Sequence, residues 1–569
     1  MVIREYERNN CIIEVKLTPE NWNRLASLPG FKKWEGRSLI FRPTGANIAY
    51  IRQYWPDADW SGDSRIHLDK YIEQIEAAAL TRAARLRDLT DTSGFQYKTI
   101  PYKHQEKALI LSRDKINFAL LMEQGTGKTK VILDNAAYLY SRGLIDALVV
   151  VAPNGAHRNW VDNEIPDHLP DWCAHFDYFH KSNLTQTWRS RLQQVMEADN
   201  RLRVFSLHVE GFTSEKGKKI LEDCLQKFRC MMVVDESTCI KNSGAKRTKY
   251  LVRVGKWAAY RRILTGTPIT RGAEDLYTQF LFLDPMILGF DSFYTFRNHF
   301  CLTNRFHAII GYQNLDELAQ LIEGHSFRVL KSECLDLPPK VYKRWPIELG
   351  PEQRRVYDDL RKEYIAQFEQ EEIVEELAIT RLMRLQQIAC NWWPGAEDGV
   401  LRPIETPNPR LQALQTILEN VIGKVIIWAR FRSDLEMITR TLGKQVVPYY
   451  GGISSDARAA SYRRFQEDDS VQYFVGNPRS AGRSLTLTAA STVVYYSNMF
   501  DLEFRLQSED RAHRIGQVGD SVVYYDIDAV RTVDQNIIKA LRSHKNVSDM
   551  VMKDPRSFFL DYDQFAEAT

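Results

Sequence analysis

Short runs of Val, Ile, Leu and Phe alternate with helix-length stretches, and this alternation constrains the chain more than any other feature. From about residue 96 the runs are Phe118–Leu121, Ala147–Val151, Met231–Val234 and Arg262–Leu264. They resume at Lys424–Trp428, Val446–Tyr449, Tyr473–Val475, Thr492–Tyr496 and Val522–Tyr525. A strand that is apolar along its whole length is buried on both faces, so the chain between strands must supply covering helices. The expected fold class is therefore α/β, with two parallel-sheet lobes in tandem.

At ~150 residues per domain, 569 residues suggest roughly four packing units. Residues 1–62 read as a small α+β module, with strands at Cys11–Leu17 and Ser38–Phe41, helices at Pro19–Ser27 and Ala46–Trp55, and a turn at Pro29-Gly30. Trp22, Trp34, Trp55 and Trp60 are expected to form its core. The alternative is that Trp34, beside Lys32, Lys33 and Arg37, stacks on nucleic-acid bases. Residues 63–95 form a connecting helix with Leu68, Tyr71, Ile72, Ile75 and Ala79 on one face. The first lobe spans 96–336, with a helical insertion at about 270–335. Leu337-Pro338-Pro339-Lys340 breaks any helix and starts the second lobe, 337–545. That lobe carries a helical insertion at about 351–392, whose acidic run Glu369–Glu372 reads as a solvated face. A tail follows at 546–569.

Composition excludes disorder and collagen-like repeats, with 44% hydrophobic and 26% charged residues. With 76 Lys+Arg against 73 Asp+Glu the net charge is +3. A chain that coats nucleic acid by bulk charge is more basic, so any such partner must be met by local surfaces. The eight cysteines contain no Cys-x-x-Cys pair and give neither a disulfide framework nor a zinc pattern. The N-terminus lacks a signal-peptide core, and the longest apolar run, Ala147–Pro153, is too short to span a bilayer. A soluble, intracellular chain without a membrane partner is expected.

The clearest chemistry is Met122-Glu123-Gln124-Gly125-Thr126-Gly127-Lys128-Thr129, an apolar strand running into a glycine loop and then a helix. Gly125 and Gly127 let backbone N–H groups and the helix N-terminus face phosphates. Lys128 would reach the outer phosphates and Thr129 would take a Mg²⁺ position. Met122 stands where the full phosphate-loop pattern begins with glycine. About a hundred residues on, Met231–Val234 delivers Asp235 and Glu236 at a strand's C-terminal end. Asp235 suits Mg²⁺ and Glu236 suits polarising an attacking water. Together they specify an NTPase that uses Mg²⁺.

The second lobe ends in Gln507-Ser508-Glu509-Asp510-Arg511-Ala512-His513-Arg514-Ile515-Gly516-Gln517. Arg511 and Arg514 are expected on one helix face, from which guanidinium groups could neutralise the transferring phosphate, with Gln507 counted among the catalytic set. This run resembles the last motif of Swi/Snf-type translocases of helicase superfamily two. Other stretches resemble the family's motifs in order: Tyr102-Lys103-His104-Gln105, Val150–Trp160, Asp235-Glu236-Ser237-Thr238 through Asn242, Leu264–Ile269, Lys424–Phe431, Tyr450-Gly451-Gly452 and Ser480–Thr488. Ser237 and Thr238 stand in place of Ala-His, so the histidine's coupling role has no obvious owner. Arg483 and Thr486 are further departures.

The resemblance covers about 96–545. It implies RecA-like lobes, a base contact at Gln105, a nucleic-acid-facing segment at 150–160, and strand contacts at Arg158, Thr267 and Ser480, with Trp34 a further candidate. The partner implied is double-stranded DNA, held through phosphates. Leu28–Trp34 with Leu39–Pro43 resembles the small modules that precede fork-remodelling and annealing helicases, which implies branched DNA. The short C-terminal remainder favours a bacterial or phage enzyme over a nucleosome remodeller. The expected function is an ATP-dependent translocase that remodels forks or junctions. The alternatives are a motor that displaces proteins such as stalled polymerase, and a non-catalytic DNA-binding scaffold.

Overall fold

The computed structural model describes residues 1–543 except 7–9, 15–17, 27, 29–30, 37, 42, 86–88, 90–93, 155, 181–185, 198–199, 271, 291, 306–308, 371–374, 394–400, 405 and 482–484. The tail at 546–569, the turn at Pro29-Gly30, the stretch at 15–17, Arg37, part of the acidic run and Arg483 lie outside the described residues. The chain forms two compact units, Met1–Cys334 and Leu335–Thr569.

The first unit opens with a five-stranded sheet. β1 (Val2–Tyr6) is antiparallel to β2 (Asn10–Glu14), β2 to β4 (Ser38–Phe41), and β4 to β3 (Phe31–Glu35), while β5 (Asp59–Trp60) joins β1 in parallel. Helices Pro19–Ala26 and Gly45–Tyr54 accompany the sheet, and the second is capped by Thr44, whose hydroxyl accepts the Asn47 N–H. Ile3, Cys11, Ile13, Leu39, Phe41 and Trp60 form the core. Trp34 packs half-buried against that core, so its ring is committed to the module's packing. The Trp55 indole packs there too and donates to Asn21 Oδ1 at 3.3 Å. The side chains of Trp22, Lys32 and Lys33 lie outside the described residues.

Helix Ser64–Arg85 leads out of the module. Its Leu68 is buried, and Tyr71 and Ile72 pack against the module core. Further along, the helix is seated on the lobe: a Cβ on Gly324 would stand 2.1 Å from the Ala78 Cβ. A Cβ on Gly45 would stand 2.9 Å from the Met286 carbonyl oxygen. Both contacts admit only hydrogen. Gly324→Val is expected to cost about 1–3 kcal/mol by overpacking, read as a lowered Tm in a thermal melt. An unchanged Tm would show that the seat yields.

The lobe is a seven-stranded sheet whose strands pair in parallel. Its strands are β6 (Asn117–Met122), β7 (Ala147–Ala152), β8 (His175–Phe179), β9 (Leu202–His208), β10 (Cys230–Asp235) and β11 (Tyr260–Leu264). After the hairpin β12 (Cys301–Thr303) and β13 (Ile309–Tyr312) comes β14 (Ser326–Val329). The order is β14-β6-β11-β10-β7-β9-β8.

The stretch 270–335 is therefore not helical throughout. Helices Asp275–Leu283, Phe293–Phe300 and Leu315–Glu323 are present, but β14 returns to pair with β6. Four residues in which Phe327 and Val329 face the core and Arg328 faces out give too short an alternation to read.

The second unit is a six-stranded sheet in the order β15-β22-β21-β18-β20-β19, with every pairing parallel. β15 (Lys340–Ile347) precedes helices Pro351–Gln370 and Glu375–Ala389 and the ribbon β16 (Trp392–Trp393) and β17 (Arg402–Pro403). β18 (Lys424–Trp428), β19 (Val446–Tyr449), β20 (Tyr473–Gly476), β21 (Ala490–Tyr495) and β22 (Val522–Ala529) follow. The sequence reading missed β15 because Pro346 and its charges argue against a strand. At the sheet edge, where a missing N–H is tolerated, they do not. All eight cysteines are free thiols. No described helix is long and apolar enough to cross a membrane.

Candidate nucleotide site and its connecting network

The β6 strand stops at Met122, and helix Lys128–Ser141 starts six residues later. Between them Gly125 and Gly127 take φ of 78° and 89°, the left-handed region that lets the loop turn its N–H groups toward the helix N-terminus. Thr126 Oγ1 donates to the Glu123 carbonyl at 2.7 Å, which holds the turn. Gln105 lies on this loop: its Nε2 donates to the Thr126 carbonyl at 3.0 Å and its Oε1 accepts the Tyr102 N–H at 3.1 Å. A Cβ on Gly127 would sit 2.2 Å from that Nε2. His104 Nε2 reaches the same Thr126 carbonyl at 2.8 Å, a clamp the sequence reading did not include. Lys128, buried, donates from Nζ to the carbonyls of Met122 at 2.9 Å and Glu123 at 3.3 Å. Thr129 is the second residue of the helix and half-buried.

Opposite the loop, β10 ends in Asp235. Its Oδ1 accepts the Glu236 N–H and its Oδ2 the Trp160 indole N–H, both at 2.9 Å. Burial, then the neighbouring Glu236 charge, pushes the Asp235 carboxyl up to about 6. Glu236 has φ +47°, a strained backbone for a residue with a side chain and the kind that clusters at working sites. Its Oε1 accepts Gln124 Nε2 at 3.3 Å, while Oε2 is buried with no hydrogen-bond partner. Lys128, Asp235 and Glu236 are thus brought to one end of the sheet.

The segment expected to face nucleic acid ends differently from that reading. Trp160 is 2% exposed, opens a π-helical turn at Trp160–Glu164, and turns its indole inward to Asp235. Arg158, two residues earlier, is half-buried, pairs with Asp162 at 2.6 Å and stands 5.4 Å from the Phe179 ring centroid. Beside it, buried His157, His180 and His208 meet, with centroids 5.2 Å (157 to 208) and 4.6 Å (180 to 208) apart. Burial first, and then the neighbouring imidazoles, lower His157 to about 3 and His180 to about 4.

Neutral imidazoles with depressed pKa values contribute stability above the unfolded value of 6.5, which is lost as pH falls from 6.5 toward 4. The expected loss from His157 at pH 5 is about 2 kcal/mol. Melts between pH 7.5 and 5 check it: a pH-independent Tm contradicts it, and His157→Gln should flatten the slope.

Thr267 follows β11. Its N–H donates to Thr265 Oγ1 at 3.1 Å, and its own Oγ1 is buried without a partner.

In the second unit, helix Leu502–Glu509 ends before the arginines, so Arg511 and Arg514 occupy the following turn and not a helix face. Arg511 Nε donates to the Gln507 carbonyl at 2.9 Å, the acceptor that a continuing helix would offer to the N–H of residue 511. Arg511 Nη1 at 3.0 Å and Arg514 Nη1 at 3.2 Å both donate to the Leu485 carbonyl. Arg511 is 5% exposed and Arg514 half-buried.

Gln507 is buried, with Nε2 on Glu503 at 2.9 Å and Oε1 without a partner. The residues flanking the arginines have structural work. Asp510 and Glu509 each accept Lys340 Nζ at 3.2 Å, and Gln517 Nε2 donates to the carbonyls of Ala490 and Ala512. Ser480 is half-buried at the end of helix Pro478–Ala481, its N–H on the Asn477 carbonyl at 3.0 Å.

The model of the SNF2-related domain matches residues 64–392, more than half of the chain, and that of the helicase conserved C-terminal domain matches 409–516. Among curated relatives, the mouse DNA annealing helicase and endonuclease ZRANB3 is 28% identical over 470 residues, covering 77% of this chain and 40% of the relative. An uncharacterized ATP-dependent helicase of Mycoplasma pneumoniae is 24% identical over 457 residues, covering 79% and 41%. The chain thus spans about two-fifths of the length of these relatives. Among solved structures, the Sulfolobus solfataricus SWI2/SNF2 ATPase core in complex with double-stranded DNA is 20% identical, covering 84% of this chain and all of that one, with a TM-score of 0.36. With the motifs in family order, two parallel α/β lobes and the domain match beyond half its length, this chain belongs to the SNF2-related family.

Proposed function

We propose that the chain is an ATP-driven motor on double-stranded DNA that remodels branched substrates such as forks and junctions. The observation that carries the motor reading is the convergence of the glycine loop and helix N-terminus of Lys128 with the strained, half-buried Glu236, whose Oε2 is buried. A helix N-terminus with free N–H groups suits a phosphate chain, and Lys128 adds a cation beside it. The remaining amide N–H and lone pair of Gln105 suit the edge of adenine.

Asp235 and Glu236 are adjacent carboxylates with one oxygen buried and unpartnered, a donor set that fits Mg²⁺. Thr129 and Asp235 would hold the ion, which supplies charge neutralisation on the phosphates when bound. Glu236 orients the attacking water and takes its proton on Oε2. Arg511 and Arg514 neutralise charge on the transferring phosphoryl group. Arg158, Thr267 and Ser480 contact DNA phosphates without reading sequence. The branched-DNA preference is supported by the N-terminal module and by the similarity to annealing helicases.

The test is steady-state ATPase with forked, linear duplex and single-stranded DNA. The expected result is stimulation by duplex, strongest for forks, and its abolition in Lys128→Ala. No stimulation by any DNA overturns the motor, and equal stimulation by forked and linear duplex overturns the branched-DNA role.

A further inference from the structure

The position beside Glu236 that holds alanine in the family's box holds Ser237 here, and its hydroxyl is used. Ser237 and Gln279 are both fully buried, and Ser237 Oγ donates to Gln279 Oε1 at 2.6 Å. Gln279, on helix Asp275–Leu283, donates from Nε2 to the Pro268 carbonyl at 2.8 Å and to the Asp275 carbonyl at 2.7 Å. Carbonyls only accept, so the amide nitrogen must face them and Oε1 must face the serine. The side chain has one orientation and no spare hydrogen-bonding group on its nitrogen.

A second path joins the same two segments. Glu236 Oε1 accepts Gln124 Nε2, and Gly266 lies so close over Gln124 that a Cβ there would stand 2.9 Å from its backbone nitrogen. From Glu236 the connection therefore runs through Gln124, Gly266, Pro268, Gln279 and Ser237 back to Glu236, a closed ring. Its two unpartnered buried oxygens, Glu236 Oε2 and Thr267 Oγ1, belong to the neighbours of Ser237 and Pro268. The same helix anchors each of the two segments once more. Thr270 donates to Asp275 Oδ2 from N at 3.0 Å and from Oγ1 at 2.7 Å, and Thr278 Oγ1 donates to the Ile240 carbonyl at 2.6 Å.

We propose that Gln279 is the positioning residue that couples hydrolysis at Glu236 to the DNA-side segment at Thr267, through Ser237 on one side and Pro268 on the other. This rests on the motor reading above. Displacement of Glu236 as water and phosphate rearrange is passed through two short hydrogen bonds to Pro268, the first buried and the second part-buried. Shielding from water makes the buried bond strong and directional.

The experiment compares wild type, Ser237→Ala, Gln279→Leu and the double variant as full chains, measuring ATPase with and without duplex DNA, KM for ATP, triplex displacement per ATP hydrolysed, and Tm. Ser237→Ala makes the smallest change in packing and keeps the test valid if Gln279→Leu folds poorly. The expected result is a loss of about ten-fold or more in the DNA-stimulated rate and in displacement per ATP, a coupling effect of ordinary size. KM should stay within two-fold, and the double variant should be no worse than the poorer single, as members of one network behave. DNA stimulation retained in Ser237→Ala, or additive losses in the double variant, overturns the proposal while the motor reading stands. A wild type that DNA does not stimulate overturns the motor reading and the proposal with it.

Discussion

Glu236→Gln is expected to lower kcat for ATP hydrolysis by about 10²–10⁴-fold, the range for loss of a general base, while ATP binding survives. The substitution keeps the shape and the strained backbone at φ +47°. It also keeps an oxygen for the hydrogen bond from Gln124 Nε2. What it removes is the basic oxygen at the position of Oε2, the atom buried without a partner. Steady-state turnover beside fluorescent-nucleotide binding checks this. A kcat within ten-fold of wild type would remove Glu236 from the proton path and move attention to Asp235.

The arginine pair separates a catalytic loss from a structural one. Arg514→Ala is expected to lower kcat by about 10³-fold or more, as loss of an arginine finger does, with Tm almost unchanged. Arg511→Ala is expected to lower both, because its guanidinium is buried and ties Gln507 to Leu485. The stability loss should be about 1–3 kcal/mol from the Gln507 carbonyl left unpaired, since Arg514 still donates to Leu485. Turnover per folded molecule, corrected by the melting curve, distinguishes the two. Full turnover in Arg514→Ala would show that this arginine serves only to hold the Leu485 turn.

Strands that are apolar along nearly their whole length were legible, whereas the interior β9 was not, because Arg203, Ser206 and His208 interrupt its run. Ala147–Ala152 and Cys230–Asp235 could be nothing else. The edge strands Ser326–Val329 and the proline-bearing Lys340–Ile347 were missed, since one neighbour is missing and the pattern relaxes, while the apolar edge strand Val446–Tyr449 was read. The nucleotide loop was legible because glycine and lysine at that spacing have few other uses. Its supports were hidden. His104 acts through a ring nitrogen on a carbonyl 22 residues away, and Trp160 turns inward to a carboxylate 75 residues away. Gln279 reads in sequence as one more polar residue among Leu276, Tyr277 and Phe280, and only the fold brings it to Ser237. The helix expected through Arg511 ends at Glu509, in a turn where the Arg511 N–H takes the Ser508 carbonyl and its Nε the Gln507 carbonyl.

The glycine seats that fix the N-terminal module, at Gly45, and its connecting helix, at Gly324, to the lobe change what can be done with the gene. In sequence, the boundary near residue 62 invites a cut, and a deletion there would be the obvious way to ask what the module recognises. In three dimensions Gly45 is pressed against Met286 and Gly324 against Ala78. Cutting would bare a surface shaped for intimate contact, and a lost activity would then report on damage as much as on recognition. A graft onto another motor would need the Gly45 seat rebuilt, and the Gly324 seat as well if the connecting helix went with the module. The module is better treated as a fixed fitting of its lobe than as a detachable cassette, and its role is best probed one exposed side chain at a time.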